Sequence, residues 1–487
     1  MKIAILGQSF YAWVAAVQMA SLGHQITLCP AEHTLITEPD TELQRESGLM
    51  TALRDQVRAG RLRFGRGADV ALRASGHAAI SSVAPEQIWF AQTALPAADL
   101  QLSLAAMQAQ RSNGPAPAIC VLTPYPVGSL SALQASAGDA LVYSLSLFVR
   151  AGSALSDFVA PPFLLLGCDR PEHESELREL FRPIARRSRE VMIVPLAAAE
   201  LIKSSINGLL ATRMSFMNEV AALCEPLGVD VDIVRQGMAA DPRIGAAYLD
   251  PGCGFGGPSF SGELLDFSRT LKTTLDLDQL GMVEQALRIN ERQREVLFRK
   301  LWRCFDGELA GRRIAIWGAS YKPDSAIVTD SAVHPLLQAL WAQGAHTVVY
   351  DPLAAAALRE VYPEQVLLTL ADNALAAADG ADAMVLVTAC DEFQSPDFHA
   401  LHAALKRPLV LDGRNLYSPE AMAAMRFQYV GIGRGEVVSL GGWTTGFLTP
   451  SGRMAPLLKW GSAFPGSRKL AVRVPPSRSV TAGPEPL

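Results

Sequence analysis

Lys2-Ile3-Ala4-Ile5-Leu6-Gly7 runs from an almost wholly apolar stretch into a glycine, and Gln8-Ser9-Phe10-Tyr11-Ala12 then begins a helical pattern. An apolar run of this length, without polar alternation, predicts a strand over 2–7 that is covered on both faces, as in a parallel sheet. Apolar spacing from Phe10 to Leu22 predicts a helix, and residues 25–29 a second strand. Strand, glycine turn, helix and strand in this order open a doubly wound α/β sheet. Further strand candidates at Ile88–Ala91, Ala118–Thr123, Leu141–Ser144 and Phe163–Gly167 extend a Rossmann-like first domain over 1–190.

The same order restarts at Arg313-Ile314-Ala315-Ile316-Trp317-Gly318. Thr347-Val348-Val349-Tyr350 ends at Asp351, and apolar strands recur at Ala383–Val387 and Leu409–Leu411, which predicts a second Rossmann-like domain over 311–437. Between the two, Ala, Leu, Met and Glu dominate from Leu196 to Leu227, and helical spacing returns from Leu275 to Cys304. The fold class expected is therefore α/β, two Rossmann-like doubly wound domains joined by a helical middle domain over 191–310. Gly, Pro, Ser and Arg crowd the tail at 438–487, and Val474 to Leu487 is expected to be disordered.

At 487 residues the chain exceeds what one hydrophobic core supports. Charged residues at 19% and apolar ones at 49% suit a soluble globular protein, with no apolar run long enough for a membrane span. No signal-peptide pattern precedes the first strand, so a cytoplasmic location is expected. Seven cysteines without CxxC spacing predict free thiols, and eight histidines without HExxH predict no metal site. A net charge of −5 carries no nucleic-acid footprint.

Several blocks stand between and within these domains: Arg150-Ala151-Gly152-Ser153-Ala154, Ala199-Glu200-Leu201-Ile202-Lys203 through Asn207, Asp241-Pro242-Arg243-Ile244-Gly245, Gly254-Phe255-Gly256-Gly257-Pro258-Ser259-Phe260, Tyr321-Lys322-Pro323, Asp391-Glu392-Phe393 and Asp412-Gly413-Arg414-Asn415-Leu416-Tyr417. In this order they resemble the UDP-glucose/GDP-mannose dehydrogenase family over residues 1–437. The Arg-Ile-Gly and Gly-Arg-Asn-Leu-Tyr blocks look more like its UDP-glucose branch. The resemblance implies NAD-dependent oxidation of UDP-glucose at C6 to UDP-glucuronate, through a cysteine-bound thiohemiacetal and thioester. It also implies dimers through the long middle helix, often higher assemblies.

On the cofactor side, the family's Gly-x-Gly-x-x-Gly turn corresponds to Gly7, Ser9 and Ala12, with a side chain at the second site where backbone should meet pyrophosphate. Pro30 stands where the ribose-binding carboxylate should close the second strand, leaving Glu32 as a displaced substitute, and no neighbouring arginine suggests NADP. Thr123-Pro124-Tyr125-Pro126-Val127-Gly128 replaces the family's Ser-Thr-Val-Pro-Val-Gly, so a threonine hydroxyl is missing. NAD binding is expected to be weak or absent.

At the reaction centre the resemblance puts Ser259 on the nucleophilic cysteine. A thiol with a pKa near 8.5 ionises readily, whereas a serine hydroxyl needs an adjacent base. Cys253, six residues earlier, falls on an apolar family position. Lys203 and Asn207, four apart on one helix face, match the pair that stabilises the oxyanion and orders water. A family carboxylate falls on Leu147, and the family's Lys-Asp pair after the nucleophile becomes Gly262-Glu263.

The sugar side keeps more. Gly254, Gly256 and Gly257 would let backbone approach a sugar or phosphate, Lys322 and Arg414 would meet phosphate or uracil, and Arg243 matches a residue that reaches the neighbouring subunit's site. The family's Asp-Asp-x-Arg-Glu-Ser becomes Ala326-Ile327-Val328-Thr329-Asp330-Ser331, without its arginine. Two readings stay open: a UDP-sugar 6-dehydrogenase with a variant site, and an inactive nucleotide-sugar-binding regulator or partner of an active paralogue. A new activity on the same fold is a third.

Overall fold

Short apolar segments pair into two sheets. The computed structural model describes residues 1–29, 37, 41–44, 46–65, 86–91, 118–122, 125–276 and 281–434. Glu32, Pro30, Thr123, Pro124 and the tail expected over 438–487 lie outside the described residues.

The first sheet consists, among the described residues, of β1 (Lys2–Leu6), β2 (Gln25–Cys29), β3 (Leu62–Phe64), β4 (Gln87–Phe90), β5 (Ala118–Val121), β6 (Val142–Ser146), β7 (Leu164–Cys168) and β8 (Val191–Val194). Its order, β3-β2-β1-β4-β5-β6-β7-β8, reverses direction between β1 and β4. That reversal opens a crevice at the carboxyl ends of the strands, where ligands of such sheets bind. All pairings are parallel except β6 with β7, where Tyr143 faces Cys168. The segment between them turns back through helix Ala154–Val159 without the crossover that a parallel neighbour needs.

Helix Phe10–Ser21 covers this sheet and is buried along almost its whole length, which explains why its apolar residues are not confined to one stripe. Trp13 of this helix, with Trp89, Tyr143 and Phe181, fills the core. The Trp89 indole and Tyr143 hydroxyl both donate to Gln87 Oε1, at 2.9 and 2.6 Å, so burying these rings leaves no unsatisfied donor.

The second sheet, β9 (Arg313–Trp317), β10 (His346–Tyr350), β11 (Leu368–Leu370), β12 (Ala383–Leu386), β13 (Leu409–Asp412) and β14 (Gln428–Val430), is parallel in the order β11-β10-β9-β12-β13-β14. Asp351 closes β10, but its carboxylate accepts the amides of Ala319 and Ala354, each at 2.7 Å, and of Ser320 and Leu353. These bonds tie the turn after β9 to the end of β10 and occupy the carboxylate that a dinucleotide ribose would need.

Helices lie between the sheets in sequence. Leu196–Leu227 runs for 32 residues and ends at Gly228, whose left-handed φ of 66° caps it. Val231–Ala240, Phe260–Leu275, Met282–Arg294 and Val296–Cys304 follow. Phe260–Leu275 falls inside the 191–310 span but between the two helical runs read in the sequence; Ser261, Gly262 and Ser268 dilute its apolar spacing. Among the described residues, no helix is long and apolar enough to cross a membrane.

Candidate functional site

One cavity of about 640 Å³ gathers side chains from both sheets and the helices between them. That volume lies in the range of small-molecule sites. Tyr11 enters it from the first turn of helix Phe10–Ser21, Lys203 and Asn207 from the long helix, Ser259 and Glu263 from the start of helix Phe260–Leu275, and Lys322 and Arg414 from loops after β9 and β13. Residues far apart in the chain thus share one wall system because both sheets turn their carboxyl ends towards it.

Ser259 sits at the N-terminal boundary of its helix, and no backbone amide of that helix bonds its side chain. The hydroxyl lies beside the Tyr11 phenol and the Glu263 carboxylate. Glu263, one turn on, accepts a hydrogen bond from Asn207 Nδ2 at 2.6 Å. Burial raises the Glu263 carboxyl above its ordinary value, while Lys203, Ser259 and Asn207 pull it back. Lys203 is buried too, which lowers its ammonium despite the nearby Glu263 charge. Its Nζ donates to the Leu147 carbonyl at 2.9 Å and lies 4.6 Å from the Phe148 ring centroid. A backbone dipole and a ring face therefore meet this cation on the side where the resemblance implies a carboxylate.

The loop before Ser259 is clamped from behind. Asn290 accepts the Phe255 amide at 2.8 Å and donates to its carbonyl at 2.9 Å, while Gln293 donates to the Gly252 carbonyl and Asn218 accepts the Gly252 amide. Asp330 ties the next turn down, accepting from Ser261 Oγ at 2.5 Å and pairing with Arg294 at 2.6 Å. A Cβ on Gly256 would lie 1.8 Å from the Asp330 carbonyl oxygen, and those on Gly254 and Gly257 would press on Arg294 and Tyr321. Close packing of the loop on the protein by itself requires these glycines to be small.

Arg414 aims Nε at the Val387 carbonyl at 2.7 Å, with Nη1 3.5 Å from the Gly254 carbonyl. Lys322 Nζ donates to the Ala151 carbonyl. Arg243 is elsewhere: its side chain is 87% exposed, pairs with Asp241 at 2.6 Å and does not line the cavity.

Behind Tyr11 is a second, much smaller cavity of about 20 Å³ at the carboxyl ends of β5 and β6, with Leu122, Ser146, Leu147 and Glu200 among its walls. The Glu200 carboxylate accepts the amides of Gly128 at 2.6 Å and Leu130 at 3.1 Å, serving the first turn of helix Ser129–Ser136. Burial raises its pKa to about 7. In the turn after β1, the Gly7 amide donates to the Cys29 carbonyl at 3.1 Å and Ala12 is fully buried. Ser9 caps its own helix by accepting from the Ala12 amide at 3.4 Å, and its hydroxyl donates to the Ala91 carbonyl beyond β4.

The family model for the UDP-glucose/GDP-mannose dehydrogenase central domain matches residues 197–292, and that for the UDP binding domain matches residues 315–419. A UDP-glucose 6-dehydrogenase from Pseudomonas aeruginosa is 33% identical over 465 residues, covering 89% of this chain and 98% of the relative. The chain belongs to the UDP-glucose/GDP-mannose dehydrogenase family. A UDP-glucose 6-dehydrogenase from Rhizobium meliloti is 30% identical over 450 residues, covering 89% of this chain and 100% of the relative. Among solved structures, a UDP-glucose dehydrogenase from Pyrobaculum islandicum matches with a TM-score of 0.73 at 25% identity, over 89% of this chain and 98% of that one.

Within this dehydrogenase-family chain, Ser259, Lys203, Asn207, Glu263, Lys322, Arg414 and the three loop glycines converge on one cavity, whereas Gly7, Ser9, Ala12 and Arg243 lie off it. Sequence reading missed Tyr11, taken there only as part of a phosphate turn. Nothing in the neighbouring sequence indicates that its side chain would reach Ser259. Asn218, Asn290 and Arg294 were missed because they read as ordinary helix residues. What they do depends on a loop brought against them by the fold.

Proposed function

We propose that this protein binds a UDP-sugar in the 640 Å³ cavity and does not run the four-electron oxidation of UDP-glucose to UDP-glucuronate. The observation that carries the reading is the setting of Ser259. Its hydroxyl is flanked by Tyr11 and by the Glu263 carboxylate, with no histidine lining the cavity among the described residues. Glu263 is the only group there placed to take the hydroxyl's proton, and even with that help an alcohol is a weaker nucleophile than a thiolate and an oxygen ester would form and break less readily than a thioester. The second oxidation suffers most.

Binding is better supported than turnover. Arg414 and Lys322 offer cationic hydrogen-bond donors of the kind that hold phosphate, at a mouth lined by the clamped Gly252–Gly257 backbone. Arg243 has a different part in this reading. Leu209, Phe216 and Leu223 recur every seven residues on the long helix and are 63%, 52% and 59% exposed. Between them Arg213 donates to the carbonyls of Ile244 and Gly245, which holds the Arg243 segment beside this stripe. An apolar stripe on a solvated helix supports pairing with a second copy, or with a related active chain.

A second reading is favoured by the assembled Lys203, Asn207 and Glu263: one oxidation, to the aldehyde level. The experiment that separates these is calorimetric titration with UDP-glucose, then with NAD, followed by absorbance of the mixture over a panel of UDP-hexoses. Sugar binding without reduced cofactor supports the proposal. One equivalent of NADH per sugar supports the second reading, and two equivalents per sugar remove the proposal.

A further inference from the structure

We propose that Tyr11 is the partition that closes this protein's sugar cavity to a nicotinamide ring; the inference rests on the reading of that cavity as a UDP-sugar site. The crevice of a sheet with this strand order lies at the reversal between β1 and β4, and a dinucleotide spans it with its phosphates on the turn after β1. By three observations, the described residues of this crevice do not fit such a cofactor.

First, the turn has partners of its own. Ser9 spends its hydroxyl on the Ala91 carbonyl, which links the end of β1 to the end of β4 across the reversal, and it caps the helix whose N-terminus would receive phosphate. Second, the cavity behind Tyr11 at the carboxyl ends of β5 and β6 holds only about 20 Å³, room on the scale of one water and far below that of an aromatic ring. Third, among the described residues only Tyr11 and Lys203 line both this small cavity and the large one. Lys203 is held aside by the Leu147 carbonyl. Tyr11 fills the junction itself, 8% exposed, with Ser259 lining the same large cavity on the sugar side and its ring edge-on to Phe10 at 5.9 Å.

A hydride acceptor must touch the carbon it oxidises. With Tyr11 in the junction, the carbon beside Ser259 faces a phenol on the side from which the acceptor would approach. Tyr11 is thus a specificity-determining residue: its bulk sets the cavity as a binding site for the sugar nucleotide alone.

The test is fluorescence titration with NADH of the full chain, Tyr11→Val, Tyr11→Leu, Tyr11→Phe and Ser9→Gly, with thermal melting as the check on folding. The unsubstituted chain, Tyr11→Phe and Ser9→Gly should show no saturable NADH binding. Tyr11→Val or the milder Tyr11→Leu should bind NADH saturably, with a Kd at least about tenfold below the highest NADH concentration at which the unsubstituted chain shows no saturation. The proposal is overturned if a folded Tyr11→Val or Tyr11→Leu binds NADH no better, if Ser9→Gly alone opens the site, or if the unsubstituted chain already binds NADH saturably. UDP-glucose titrated into the unsubstituted chain tests the underlying reading separately: no sugar binding there sinks the sugar-site assignment, whatever NADH does.

Discussion

Asn207 Nδ2 donates to Glu263 Oε2 at 2.6 Å and thereby joins the long helix to the helix that begins at Ser259. The carboxylate is desolvated, so removing the amide leaves it short of a partner. Asn207→Ala should cost about 1–3 kcal/mol in urea unfolding, and Asn207→Ala with Glu263→Ala should cost less than the sum of the two single changes. Additive changes would mean that the bond contributes nothing to stability.

Gly256 and Gly262 are six residues apart and should respond oppositely to alanine. A methyl at Gly256 would meet the Asp330 carbonyl oxygen at 1.8 Å, whereas one at Gly262, inside a helix, meets nothing within 4 Å. Gly256→Ala should lower the melting temperature and abolish UDP-sugar binding. Gly262→Ala should stabilise by about 0.5–1 kcal/mol. Thermal melting of both variants checks this.

Both sheets were legible in the sequence because Ile3 to Leu6 and Ile314 to Trp317 are unbroken apolar runs ending in glycine, a pattern set by neighbours in the chain. The long helix was legible as well, ending at Leu227 before Gly228 as expected. The short edge strands Leu62–Phe64 and Gln428–Val430 were not, since three residues carry too little periodicity. At the site, blocks identified Ser259, Lys203 and Arg414, but nothing local to Tyr11 indicated which cavity its ring would enter. The glycine loop shows the same limit: Gly256 faces the distant Asp330, and only the fold brings them together.

Glu200 should give stability a distinctive pH dependence. Its carboxyl rises from an ordinary 4.5 to about 7 on folding, so between those values the folded chain holds a proton that the unfolded chain has released. The stability this contributes is full below about pH 4.5 and is lost as pH rises through about 7, on the order of 3 kcal/mol in all. Glu200→Gln should flatten that part of the profile, read from urea midpoints at several pH values across this window. An unchanged slope would place the titration elsewhere.

Arg414 should matter to the nucleotide and not to the fold's core. Loss of charge-assisted bonds to phosphate predicts that Arg414→Ala weakens UDP-glucose binding by about 10–100-fold in calorimetry, and that Arg414→Lys, lacking the planar fork, does not restore it. Unchanged affinity would mean that the nucleotide lies away from this arginine.

In the proposed function, Ser259 belongs to a site released from oxidation on its cofactor side and is not merely a changed nucleophile. Product analysis of Ser259→Cys incubated with UDP-glucose and NAD decides between the two. No UDP-glucuronate is expected, because Tyr11 and Ser9 still close the crevice; formation of UDP-glucuronate by that single variant would overturn the proposal.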